Sequence, residues 1–182
     1  MGRRFVGCVL AVLAAAVLAG CTNVKSLKPV GEKPLAVQAD EWDGTWLCDG
    51  EGVQIKVLNE EGGVLEAAIT EYKKDRFATE THRVELRTTG QWTFANILDD
   101  DEPRGYLWVV FRRDGSRILS WEPDAERFKA LVASGEVDGS VTKEGDVVLK
   151  GLTEAQIRNL LAGPGPVPLK WNDPMVWIRQ GK

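Results

Sequence analysis

The sequence predicts a mainly β protein, an antiparallel barrel or strongly curved sheet of about ten strands with two short helices. Three observations predict it. Apolar residues recur mostly with a period of two, as in Val53, Ile55 and Val57 against Gln54 and Lys56. Turn-forming clusters separate the apolar runs: Glu60-Glu61-Gly62-Gly63, Thr89-Gly90, the segment Asp99 to Gly105, and Lys143-Glu144-Gly145-Asp146. Tyr106 to Phe111 is apolar on both faces, which demands cover on both sides of its sheet.

At the start of the chain, Arg3 and Arg4 precede an uncharged apolar run from Phe5 to Leu18. This is the layout of a secretory signal peptide, and the run is too short for a membrane-spanning helix of about 20 residues. The arginine pair sits at the extreme start and Phe5 follows directly, so unfolded export fits better than twin-arginine export. Leu18-Ala19-Gly20-Cys21 resembles the lipobox of bacterial lipoproteins. That resemblance implies removal of residues 1–20, a diacylglyceryl group on the Cys21 sulfur and an acylated amino end. Thr22, in place of an aspartate, implies the periplasmic face of the outer membrane.

Losing Arg3 and Arg4 leaves 21 of the 23 Lys+Arg against 27 Asp+Glu, a net of −6. Such a balance excludes bulk-charge capture of nucleic acid, so lipid on Cys21 is the expected membrane contact. Cys8 leaves with the signal and Cys21 carries lipid. Cys48 then has no intramolecular disulfide partner and is expected as a small buried hydrophobe. Residues 21–40 hold Lys25, Lys28, Lys33, Pro29 and Pro34 without aromatic residues or apolar period, and read as a lipidated cysteine and flexible tether reaching about 25 Å as a coil.

Residues 41–182 read as one β-rich domain. His82, Val84 and Leu86 alternate with Arg83, Glu85 and Arg87 in a half-buried strand. Asp114-Gly115 predicts a two-residue hairpin turn that sets Phe111 opposite Ile118 and Trp108 opposite Trp121. Pro123 to Ser134 carries a helical stripe of Phe128, Leu131 and Val132. Thr153 to Ala162 carries capping-box spacing at Thr153 and Gln156, a staple at Leu152 and Ile157, and a Gly163-Pro164 stop. Its stripe is Ile157, Leu160 and Leu161. Met175 to Arg179 reads as the last strand.

Gly44-Thr45-Trp46 resembles the Gly-x-Trp that opens lipocalins and similar small barrels. The resemblance implies a tryptophan at the closed end of a barrel, with Arg179 packed on it from late in the chain. Trp46 to Gly52 also resembles the opening of nitrobindin-like haem barrels. Cys48 replaces a glycine of that motif and no late histidine is present to ligate iron, so no cofactor is expected.

Catalytic chemistry finds little support. His82 is the single histidine, so every Ser-His or Cys-His pairing must use it, and its strand parity places it on the apolar face. Zinc would lack a second histidine or a cysteine pair. Asp99-Asp100-Asp101-Glu102 lacks the spacing of a calcium loop, and Gly50-Glu51-Gly52 lacks the third glycine of a dinucleotide loop. Arg112, Arg113 and Arg117 cluster at one hairpin tip, which reads as a solvated turn or an anion contact. Trp92, Phe94 and Asn96 share one strand face, and Met175 and Trp177 share another; they either pack the barrel or line a pocket. The expectation is a non-catalytic envelope lipoprotein binding a small apolar ligand or lipid through Trp92, Phe94, Asn96 and Trp177. The alternative is an interaction subunit of an envelope assembly with a filled barrel.

Overall fold

The computed structural model describes residues 22–48, 51–73, 76–100, 104–162 and 167–181. Residues 1–20, expected as a signal segment and including Cys8, lie outside them, as do Cys21 and the expected Gly163-Pro164 stop. The chain runs through β1 (Val24–Ser26), β2 (Lys33–Pro34), α1 (Ala39–Trp42), β3 (Gly44–Cys48), β4 (Glu51–Asn59), β5 (Val64–Lys73) and β6 (Arg76–Thr89). It continues through β7 (Trp92–Asp99), β8 (Gly105–Asp114), β9 (Arg117–Trp121), α2 (Ala125–Ser134), β10 (Gly139–Val141), β11 (Val147–Leu149), α3 (Glu154–Ala162) and β12 (Met175–Arg179).

From β3 to β9 each strand pairs antiparallel with the next, and β12 closes the ring between β9 and β3. The result is a closed eight-stranded antiparallel barrel. Closure removes sheet edges, and eight strands leave an interior just wide enough for side chains or one small ligand. The inward positions follow the period of two read in the sequence: Val53 of β4, Leu65, Ala67 and Ile69 of β5, and Val84 and Leu86 of β6 are all buried in one apolar core.

Residues 22–38 are not a free tether. Strand β1 lies parallel to β11 and antiparallel to the first half of β8, while β2 pairs with β6. Val24 is 5% exposed, Val30 1% and Val37 7%. The segment shows no apolar period because it serves two cores in turn. Val24 and Val30 enter a core outside the barrel, whereas Leu35 and Val37 join the one inside. Pro34 is tolerated because β2 is a short flanking strand. The folded body therefore takes in residues from Thr22 on, well before Glu41.

The outside core answers the two-sided apolarity of β8. Phe94 and Trp108 project outward and pack with Phe128 of α2, whose ring meets Trp108 edge-on at 5.7 Å. Both helices start as their sequences direct. Asp124 accepts the backbone N–H groups of Glu126 and Arg127 at 3.1 and 3.2 Å. The Gln156 side chain accepts from Thr153 N–H at 3.0 Å, and the Thr153 hydroxyl accepts from Gln156 N–H at 3.3 Å. This reciprocal box satisfies donors that the first helical turn leaves orphaned.

The β8–β9 hairpin differs from the expected register by two residues. Asp114 pairs with Arg117, Phe111 with Ser120 and Trp121 with Val110, so the loop is Gly115-Ser116 rather than Asp114-Gly115. Gly115, at φ 57°, takes the first central position of a primed turn. Its carbonyl accepts from Arg113 Nε at 3.1 Å, which holds Asp114 in the strand. An even shift preserves facing. Trp108 and Trp121 both stay outside the barrel, but they are not cross-strand partners.

Gly63 holds the most constrained backbone position. Its φ is 62°, and an added Cβ would sit 2.2 Å from the Leu35 carbonyl oxygen. Leu86 N–H donates to Gly63 O at 2.8 Å across the same crossing. Replacing Gly63 with alanine is expected to cost about 3 kcal/mol or more, read as a lowered urea midpoint.

Candidate functional site

The barrel interior is almost filled. One cavity of about 90 Å³ remains, walled by indole and phenyl rings of Trp42, Trp46, Phe111 and Trp177 and floored by small side chains including Ala67 and Ala95. Ser120 supplies the one hydroxyl among its lining residues, and that oxygen accepts from Trp177 Nε1 at 3.0 Å. The Trp46 indole N–H is also spent, on the carbonyl of Trp42 at 2.9 Å. A wall with so few polar partners does not hold water well. Drug-sized ligands occupy roughly 300–1,000 Å³, so this space fits a single small ring or a short alkyl segment and not a haem or a whole lipid.

Helix α1 closes one end. Its Trp42 is 5% exposed, meets Trp46 at 6.2 Å and Phe111 edge-on at 5.9 Å, and thereby forms both plug and cavity wall. Asp43 fastens the plug by accepting Val57 N–H at 2.6 Å. Trp46 sits at this end, and Arg179 pairs with it in register. The Arg179 guanidinium, however, donates to the Asp43 carbonyl and lies along Gly44, where a Cβ would be 3.5 Å from its Nε. A cation–π contact at this end is made by Arg113, whose guanidinium lies 5.6 Å from the Trp42 ring centroid and ion-pairs with Glu41.

The four residues expected to bind ligand are not brought together. Trp177 lines the cavity, but Trp92, Phe94 and Asn96 have the opposite strand parity and face the outer core. Inward positions on β7 are Ala95 and Ile97. Asn96 is fully buried and binds protein: its Oδ1 accepts Val30 N–H at 2.7 Å, and its Nδ2 donates to Val30 O at 3.0 Å and Glu85 O at 3.2 Å. Trp121 stacks on the half-exposed Trp171 with centroids 4.6 Å apart. Trp42 and Ser120 were missed as cavity residues. The alanines at inward positions were the readable signal, since small side chains mark where a barrel has room.

The remaining chemical candidates are engaged or enclosed. Lys25 and Asp99 form an ion pair at 2.7 Å with side chains 8% and 12% exposed, and Asp100 pairs with Arg104 at 2.9 Å. Asp101 and Glu102 lie outside the described residues. Cys48 is 2% exposed in the barrel core. His82 stands opposite Ala67 with its Nε2 buried and without a hydrogen-bond partner. Comparison with protein-family models, with curated proteins and with solved structures found no match to this chain.

Proposed function

We propose that this chain is a lipid-anchored envelope lipoprotein whose barrel holds one small apolar molecule. The apolar cavity behind the α1 plug carries the binding part of this reading. The lipobox at Leu18 to Cys21 carries the anchoring part. An apolar ligand there needs no polar recognition beyond Ser120, and burial of each CH₂ contributes about 0.8 kcal/mol. Among the described lining residues the one hydroxyl, on Ser120, is engaged by Trp177, which supports a carrier or sensor reading over an enzyme.

Two measurements test it. Native mass spectrometry of the mature full chain, taken gently from its own membrane, should show a small added mass that organic extraction removes. Ala95→Val should then abolish that mass while raising the stability of the empty protein by about 1 kcal/mol, because it fills existing space. A destabilised, overpacked variant together with a clean apo mass would overturn the binding role. For anchoring, Cys21→Ser should move the protein from the membrane pellet to the soluble periplasmic fraction.

One observation favours the second reading, a docking subunit. Val176 and Ile178 of β12 are 42% and 46% exposed on the outside of the barrel, beside the partly exposed Leu119 and Leu47 in register with them. Contiguous exposed apolar side chains of this kind mark interaction surfaces. A clean apo mass would move the search to that face.

A further inference from the structure

We infer that the lipidated protein lies flush on the bilayer, with the β10–β11 turn seated among the lipid headgroups. The inference rests on the lipobox reading above and deepens it. Its basis is how early the chain is gripped. Thr22 already lies against the turn, since a Cβ on Gly145 would be 3.1 Å from its Cγ2. Asn23 is held on both sides: its N–H donates to Asp146 Oδ1 at 2.7 Å and its carbonyl accepts Val147 N–H at 2.8 Å. The turn itself is tied, with Thr142 N–H donating to Asp146 O at 2.8 Å and Gly145 N–H to Thr142 O at 3.1 Å.

Lengths then decide the geometry. Adjacent Cα atoms are about 4 Å apart, so the Cys21 sulfur lies within about 7 Å of the Thr22 Cα. A thioether-linked diacylglycerol puts that sulfur at the glycerol level of the bilayer. The headgroup layer above it is only about 5–7 Å thick. Thr22 must therefore sit in that layer, and the turn packed on Thr22 must touch it.

The surface presented there suits the place. Lys143 and Glu144 are exposed at the tip and match the phosphate and ammonium groups of zwitterionic lipid. Val141 is 45% exposed beside them and gains an interfacial site. Among the described residues β10 also ends the sheet path, with β11 as its one strand neighbour. Headgroups covering this edge would protect it from pairing with other chains.

The test uses the full lipidated protein in vesicles of phosphatidylethanolamine and phosphatidylglycerol, with a fluorophore on Lys143→Cys. A second label on Asp100→Cys, exposed just past the end of β7, reports the opposite end of the barrel. Headgroup-nitroxide lipids should quench the label at position 143 several-fold more than the one at 100. Inserting a twelve-residue Gly/Ser spacer after Cys21 should abolish the difference while vesicle binding persists. Equal quenching at both sites in protein whose mass includes the lipid would overturn the inference and leave the lipoprotein reading standing. Quenching at position 143 unchanged by the spacer would also overturn it. A mature mass without lipid would overturn the reading beneath it.

Discussion

A chain beginning at residue 41 should fail to fold cooperatively, although its sequence contains every strand of the barrel. The truncation removes β1, and with it the link between β8 and β11. It takes Val24 and Val30 from the outer core, where each is at most 5% exposed. Full burial of each such side chain contributes on the order of 1.5–3 kcal/mol. It also takes Lys25 from the buried Asp99 carboxylate, and removing one partner of a buried pair costs about 3–5 kcal/mol. Together these approach the whole stability of a domain, about 5–15 kcal/mol. Urea denaturation of residues 22–182 should show one steep transition; residues 41–182 should show a shallow one with much lower slope. An unchanged midpoint and slope would make the segment the dispensable tether its composition suggests.

That segment shows where sequence pattern stops. A period is visible only when one element faces one core. The inward runs of β4, β5 and β6 face the barrel interior for their whole apolar length, and their alternation was legible. Helices α2 and α3 carry their signals locally, in caps and stripes, and both were legible to within two residues at their starts. Residues 22–38 cross from one core to the other, so their apolar side chains follow no period. Their pairing partners lie far away in sequence, as Val24 with Val147 shows.

Of the four expected ligand residues only Trp177 lines the cavity, for a related reason. Parity correctly divided β7 into two faces, but parity alone does not say which face looks inward when both are apolar. Two cores make both faces apolar. Trp92 and Phe94 have the bulk expected of a pocket wall and instead cement helices to the barrel's outside. The even register shift at Gly115 exchanged partners without exchanging faces, so Trp108 and Trp121 share a face without forming the expected pair.

Asn96 turns that ambiguity into a measurement. As a ligand contact its replacement would change binding and leave folding nearly intact. As placed, Asn96→Ala strips the side-chain partner from both the buried Val30 N–H and its C=O and opens a hole at a position with 0% exposure. Unsatisfied buried groups cost about 1–3 kcal/mol each, so a loss of about 3–5 kcal/mol is expected with ligand mass unchanged in whatever remains folded. Asn96→Asp sharpens the test. It keeps the acceptor for Val30 N–H but faces a carboxyl toward the carbonyls of Val30 and Glu85, which previously accepted from Nδ2. Burial and those two oxygens push this carboxyl above the usual carboxylate range, because only its protonated form can donate. Its folded-state proton affinity then exceeds the unfolded one. The variant should be most stable below the ordinary aspartate range and lose stability as pH rises through the raised value, whereas Asn96→Ala shows no such added slope. A flat difference between the two variants across that window would mean that Asn96 does not clamp the Val30 backbone to β6 and β7.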